Sequence, residues 1–149
     1  MQSGQEYLDL LLIRVCRVHH NLARQSLEKI GLHRGQPPIL FALGKQDGMT
    51  HSELAAQMEV SPAAISNMVK RMEQAGFVVR RRDAEDERVS RVYKTDAGQA
   101  IYSEMEAIAQ QVNETTFAGF TEEERIIMRD FLRRIHDNLQ RAVARGELK

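Results

Sequence analysis

The side chains of this chain that could do chemistry are basic and hydrogen-bonding groups concentrated in one segment. Residues 61–82 carry five basic groups, which are Lys70, Arg71 and the three arginines at 80–82, against the single acid Glu73. The whole chain has 21 basic and 21 acidic residues, so its formal net charge is zero. A local basic excess in a neutral protein favours contact with phosphate groups, although an exposed charged run can also be a solvated face.

Residue types typical of catalytic and metal sites are sparse. The five histidines include no pair at the four-residue spacing that would place two ligands on one helix face. Cys16 is the single cysteine, which excludes an internal disulfide framework and a zinc site built mainly from thiolates. No nucleophile motif, phosphate loop or paired-carboxylate site stands out. The sequence therefore predicts no enzyme, no metal and no cofactor.

A helix must position the basic and polar groups of residues 61–76. Ser61 and Pro62 form a start signal, with a hydroxyl that caps backbone amides and a ring preset for the first turn. Apolar residues at 65, 68, 69 and 72 give this helix one buried face, and Gly76 marks its end. The free face then carries Ser61, Ala63, Ser66, Asn67, Lys70 and Arg71.

The same periodicity predicts the neighbouring elements. An amphipathic helix spans about 5–29, a second one lies near 39–43, and Thr50 with Glu53 forms a capping box for a short helix over 51–58. Two strands around 77–79 and 89–93 flank a loop without glycine. Thr95 then precedes a long helix, and Thr121 with Glu124 starts the last helix.

The order of these elements predicts a mainly α fold with a two-stranded β-wing, a winged helix-turn-helix with long end helices. One domain is expected over 1–149, with the winged core at about 34–95 and dimerisation helices at about 5–30 and 96–145. The apolar stripes of the end helices exceed what the core needs, so we expect them to pack on a second copy. The major groove, about 12 Å wide, admits one α-helix.

The cellular location of the protein is predicted from two features that the sequence lacks, a membrane span and a secretory signal. No apolar run approaches the roughly 20 residues that span a bilayer. The first six residues lack the basic start and apolar stretch of a secretory signal. We therefore expect a cytoplasmic protein with no membrane partner.

The segment 80–98 resembles the wing signature of MarR-type transcriptional regulators. That pattern has two arginines, an aspartate, a second aspartate three residues on, an arginine two after that, and a strand that ends in Leu-Thr before a glycine. This chain departs from it at Lys94, where leucine is usual, and at Arg82, where proline is common. The paired helices at 51–55 and 61–76 also match, and the resemblance covers about residues 5–145.

The resemblance implies which residues meet DNA. The helix over 61–75 would be the recognition helix, and Arg88 would enter the minor groove with its guanidinium held by Asp86 in a bidentate pair. Arg80, Arg81, Arg82 and Arg91 would supply counter-charge to the acidic loop. The implied DNA-binding set is Ser61, Ala63, Ala64, Ser66, Asn67, Lys70, Arg71, Asp86 and Arg88.

The resemblance also implies a function: a homodimeric repressor that binds a palindromic operator in double-stranded DNA and releases it when a small aromatic or anionic effector binds. Two alternatives stay open. Cys16 could act as a redox sensor, as an N-terminal-region cysteine does in some family members, or the chain could be a winged-helix scaffold for protein partners. The candidate effector residues are Arg14, Arg17, His20, Arg24 and His33.

Overall fold

The computed structural model describes residues 2–33 and 35–146, and for residues 2–6 the backbone alone. Six α-helices and three β-strands make up this part of the chain, and the fold is the mainly helical winged helix-turn-helix that the sequence predicts. No helix among these residues has the length and apolarity that crossing a membrane requires. In chain order the elements are α1 (Gln2–Glu28), α2 (Gln36–Lys45), β1 (Met49–Thr50), α3 (His51–Met58), α4 (Pro62–Gln74), β2 (Val78–Arg82), β3 (Ser90–Lys94), α5 (Asp96–Thr116) and α6 (Glu122–Arg145).

The helix starts follow the capping signals of the sequence. Thr50 accepts a hydrogen bond from the Glu53 amide at 3.1 Å, and the Glu53 carboxylate accepts one from the Thr50 amide at 2.8 Å. Thr121 and Glu124 make the same reciprocal pair at the start of α6. Both capping boxes are confirmed. Helix α1 begins at Gln2, three residues before the predicted start.

The predicted two-stranded wing is formed by β2 and β3, and a third strand that was not predicted, β1, joins the same sheet. Strand β1 pairs antiparallel with β3 and places Met49 opposite Val92. Strand β2 pairs with the other edge of β3. A strand of two residues is too short to show a period-two pattern, and its partner lies more than 40 residues away along the chain. β2 also extends through the arginines at 80–82, because backbone pairing with β3 continues past its apolar start.

The core lies among α2, α3, α4, the sheet and the first half of α5. Its members are apolar residues with relative exposures of 8% or less, and those that are fully covered come from all of these elements. The most deeply buried are Leu32, Ile39, Leu40, Leu43, Leu54, Ile65, Val69, Met72, Val92 and Met105. A core of this kind fixes α3 and α4 relative to the sheet.

The first half of α5 is joined to this core at two places. Thr95 donates to the Gly76 carbonyl at 2.6 Å and accepts from the Gly98 amide at 3.0 Å. A Cβ atom at Gly98 would overlap the Phe77 carbonyl oxygen, so glycine allows the two backbones to approach. At the second place the Lys94 ammonium of β3, which donates to the Leu43 carbonyl of α2 at 2.8 Å, lies 5.4 Å from the centre of the Tyr102 ring of α5.

Two compact units make up the chain, with the boundary between Val112 and Asn113 inside α5. The second unit contains α6, in which no described residue is buried. Arg125 donates to the carbonyls of Phe117 at 2.8 Å and Phe120 at 3.4 Å, which closes the turn before α6. The prediction of one domain over 1–149 stays a prediction.

Candidate nucleic-acid interface

Helix α4 has one buried and one free face, as its sequence predicts. The Ser61 hydroxyl accepts a hydrogen bond from the Ala64 amide at 3.2 Å, and Pro62 occupies the first turn. Ile65, Val69 and Met72 are fully buried at spacings of four and three. This anchoring leaves the opposite face of α4 open to a partner.

The free face of α4 carries hydrogen-bonding groups followed by cations. Ser66, Asn67, Lys70 and Arg71 are all exposed, and the Ser66 hydroxyl donates to the Pro62 carbonyl at 3.1 Å. The two cations lie in the C-terminal half. Such a face can meet base edges with its polar part and phosphates with its cations.

Three other predicted residues lie at the start of α4. Ser61 and Ala63 are exposed, whereas Ala64 is half-buried. Because the Ser61 hydroxyl is engaged in the cap, its remaining lone pair and proton are what it can offer to DNA. The structure thus brings the predicted helix residues onto one surface, with Ala64 at its edge.

The wing presents one arginine in a fixed direction. Arg88 Nε donates to Asp86 Oδ1 at 3.1 Å and Arg88 Nη2 donates to Asp86 Oδ2 at 3.3 Å, while the Arg88 side chain remains 90% exposed. This is the bidentate pair that the resemblance implies. The Arg88 side chain, and then its backbone amide, hold the pKa of Asp86 below its usual value. The carboxylate therefore orients the cation without covering it.

The other wing arginines are largely engaged within the chain. Arg80 Nη2 lies 2.9 Å from Glu73 Oε2, and the Arg81 guanidinium lies 5.5 Å from the centre of the Tyr93 ring. Arg91 is paired with Asp83. Of the arginines expected to supply counter-charge to the acidic loop, Arg91 does so at Asp83, whereas Arg80 is paired with Glu73 of α4 instead.

His51, at the start of α3, also lies in this region, and the sequence analysis did not predict it there. Burial lowers its pKa, the Arg80 charge lowers the pKa further, and Glu73 acts in the opposite direction. His51, Glu73 and Arg80 come from α3, α4 and β2, so no sequence spacing signals their proximity. The imidazole is neutral at neutral pH and adds no charge to this surface.

The candidate effector residues and the cysteine lie on exposed surface. Arg14, Cys16, Arg17 and His20 of α1 are all exposed, and Cys16 is a free thiol. Arg24 forms an ion pair with Glu28 at 2.7 Å, one helical turn away. His33 is also exposed, between α1 and α2. The structure gathers none of these candidates around a described cavity.

A groove of about 470 Å³ lies in the second unit instead. It was missed because its cationic and apolar lining residues follow the ordinary pattern of an amphipathic helix. Within the described residues, no group of three or more His, Cys, Asp or Glu side chains could hold a metal ion. The groove is lined by Asn113, Phe117, Glu122, Arg125, Met128, Arg129, Leu132, Arg133 and His136.

Comparison with known proteins places the chain in a family. The model of the MarR family matches residues 32–90, which contain α2, α3, α4 and most of the wing. The transcriptional repressor MdtR of Bacillus subtilis is 33% identical over 100 residues, which are 67% of this chain and 64% of MdtR.

Solved structures share the fold over most of the chain. A structure of BpsR from Bordetella bronchiseptica, described by the regulation of its DNA binding by 6-hydroxynicotinic acid, has a TM-score of 0.74 and 25% identity and covers 87% of this chain and 92% of BpsR. A mutant of MarR from E. coli complexed with operator DNA has a TM-score of 0.75 and 22% identity over 86% of this chain and 92% of that one.

These regulators are DNA-binding proteins and not enzymes. The matched segment, 32–90, contains the free face of α4 and the Asp86–Arg88 pair of the wing, which are the features expected of a duplex-binding surface. This chain belongs to the MarR family and is a winged-helix, DNA-binding transcriptional regulator.

Proposed function

We propose that this regulator is a homodimeric repressor that binds a palindromic operator and releases it when a small effector binds. The observation that carries the proposal is the pairing of a free polar and cationic face on α4 with a wing arginine held outward by Asp86. An α-helix fits the major groove, and an arginine suits the narrow minor groove beside it. Lys70, Arg71 and Arg88 supply the contacts to the backbone and the minor groove.

The exposed apolar residues of the end helices support the homodimer. On α1, Leu8, Val15 and Val18 are between 52% and 67% exposed, and on α6, Leu139 and Val143 are 56% and 72% exposed. A soluble protein rarely leaves such stripes uncovered, and a second copy would cover them with the same surface. Two copies then present two α4 helices to half-sites about 34–36 Å apart, or a multiple of that spacing.

The effector part of the proposal draws on a relative. BpsR is described by the regulation of its DNA binding by 6-hydroxynicotinic acid, an aromatic anion. The exposed cations Arg14, Arg17, His20 and Arg24 of α1, with His33, are the residues proposed to meet such a ligand. An effector can release DNA only if it binds more tightly to a dimer whose two α4 helices do not match the half-site spacing than to the dimer that binds DNA. Contact with chromosomal DNA also requires the chain to lie in the cytoplasm.

The dependence of binding on salt tests DNA recognition. A duplex is first enriched from random-sequence DNA with the wild-type protein, and its Kd is then measured from 50 to 200 mM salt. A regulator that neutralises six to ten phosphates loses roughly 10³- to 10⁵-fold in affinity over this range. If no duplex is enriched, the chain is a protein-binding scaffold and the proposal is wrong.

Two variants separate the contribution of the helix from that of the wing. We expect Lys70→Ala to weaken all duplexes alike and to reduce the salt slope by about 1. Arg88→Ala should instead weaken binding most where the minor groove is narrow. The matched control is Lys29→Ala, an exposed cation outside the interface. Wild-type affinity in both interface variants would contradict the residue assignments.

A further inference from the structure

Asp83 organises the wing loop from its base. Its Oδ1 atom accepts hydrogen bonds from the amides of Glu85 at 2.8 Å and Asp86 at 3.1 Å. The Asp83 amide donates to the Val89 carbonyl at 2.8 Å, which closes the loop. One carboxylate thus fixes the turn that carries Asp86 and, through it, the direction of Arg88.

Arg91 connects this loop to the helix-turn-helix. Its Nε donates to Asp83 Oδ2, and its Nη1 donates to the Gly48 carbonyl at 2.9 Å. The same Nη1 lies 3.7 Å from Glu53 Oε2. The side chain of Arg91 is 31% exposed, against 90% for Arg88. A single guanidinium therefore contacts the wing, the turn before β1 and α3.

The contact at Glu53 connects the wing loop to α3, which packs in the same core as α4. Glu53 Oε2 also accepts from the Thr50 amide at 2.8 Å in the capping box of α3. The buried Leu54 and Ala55 place α3 in the same core as Ile65 and Val69 of α4. A continuous chain of contacts thus runs from the wing tip to α4.

The charge of Arg91 is already satisfied within the chain. The side-chain hydrogen bond from Arg91 is the largest cause that lowers the pKa of Asp83 to about 2, followed by the amides of Glu85 and Asp86. Asp83 is therefore ionised throughout the working pH range, and in return it raises the pKa of Arg91. The carboxylates of Asp83 and Glu53 offset the charge of this guanidinium, and its Nε and Nη1 atoms are engaged within the chain.

We propose that Arg91 and Asp83 are positioning residues that hold the wing at a fixed distance from α4 and do not contact DNA. The inference rests on the proposed DNA interface and adds residues outside it. Asp83 and Arg91 would make Arg88 and α4 act as one rigid surface, so that the wing enters the minor groove only when α4 is in register. This role goes beyond the counter-charge to the acidic loop that the resemblance implies for Arg91.

A repelling role and a positioning role of Asp83 predict opposite effects of Asp83→Asn on the affinity for DNA. If Asp83 merely repels DNA, removing its charge tightens binding. If Asp83 positions the wing, the same change weakens binding. Glu85→Gln is the matched control, because it removes one negative charge from an exposed residue of the same loop and keeps its backbone amide.

The experiment uses the full-length chain and the enriched duplex described above. We expect Glu85→Gln to bind as tightly as wild type or tighter, and Asp83→Asn to bind at least about fivefold more weakly, as when one arginine contact to a groove is lost. Hydroxyl-radical footprinting should show loss of minor-groove protection, while methylation interference at the α4 contacts persists. Equal tightening in both variants would overturn the proposal.

Arg91→Met provides a second test that remains valid if Asp83→Asn folds poorly. In the Arg88→Ala background, Arg91→Met leaves the salt slope unchanged if Arg91 is a positioning residue, whereas loss of a phosphate contact by Arg91 reduces the slope by about 1. Combined with Arg88→Ala, Arg91→Met should add little further loss, because it acts through the same wing tip. A reduced slope or fully additive losses would contradict the proposal. Failure of the wild type to enrich any duplex would instead contradict the proposed function.

Discussion

In the winged core Ile39, Leu40 and Leu43 of α2 are completely buried, whereas Phe131, Leu139 and Val143 of α6 expose between 50% and 72% of their surface. Both regions carry apolar residues at helical spacing, and the core finds partners for them within the chain. No described residue of α6 is buried. Apolar residues at helical spacing therefore serve folding in the core, whereas on α6 they stay exposed and are the surface that the proposed homodimer would cover.

The largest expected effect separates the two regions with a matched pair of leucines. Leu40→Ala removes a fully buried side chain and should lower the free energy of unfolding by about 2–5 kcal/mol. Leu139→Ala changes a residue that is 56% exposed, so its cost should arise only through the proposed dimer and vary with protein concentration. Chemical denaturation at several protein concentrations measures both. If Leu139→Ala lowers the free energy of unfolding by the same amount at every protein concentration, Leu139 stabilises the single chain as Leu40 does, and the proposed contrast between the two regions is wrong.

An intermediate effect is expected at the joint between the core and α5. In Gly98→Ala the new methyl group meets the backbone of Phe77, which cannot move away as a side chain could, so we expect a loss of about 1–3 kcal/mol. Gln99→Ala, at the next and exposed position, is the control and should change stability little. Thermal unfolding compares the two variants. Unchanged stability in Gly98→Ala would mean that α5 is not seated against the core.

The smallest effect compares the two capping boxes. Thr50→Ala and Thr121→Ala each remove a hydroxyl that accepts from an amide three residues on, at a cost of about 1 kcal/mol. At Thr50 the loss should appear in cooperative unfolding, because α3 lies in the core. At Thr121 it should appear as faster amide exchange confined to the first turn of α6. Global destabilisation by Thr121→Ala would show that α6 unfolds together with the core.

Local signals explain how much of the fold could be predicted. Ser61–Pro62, Thr50 with Glu53, and Thr121 with Glu124 are short-range patterns whose chemistry is complete within four residues. They placed α3 at its observed bounds and α4 and α6 within about one residue of their starts. The bidentate contact between Asp86 and Arg88, which the family resemblance implied, is also short-range, since one position separates the two residues.

Lys94 shows where a family pattern alone is insufficient. Leucine is usual at this position of the MarR-type wing pattern. In this chain the Lys94 ammonium donates to the Leu43 carbonyl and lies 5.4 Å from the centre of the Tyr102 ring. The side chain thereby joins β3, α2 and α5. Neither residue is near Lys94 in sequence, so the substitution could be noticed but not explained.

The sequence by itself determined the order of the elements, their capped starts and the polar face of α4, because each depends on residues within about one or two helical turns. Tertiary structure alone decided that β1 joins the sheet, that Arg91 links Asp83 to Gly48 and Glu53, and that Arg80 is paired with Glu73. These contacts unite residues from 7 to more than 40 positions apart, and their partners become neighbours only after the core has closed.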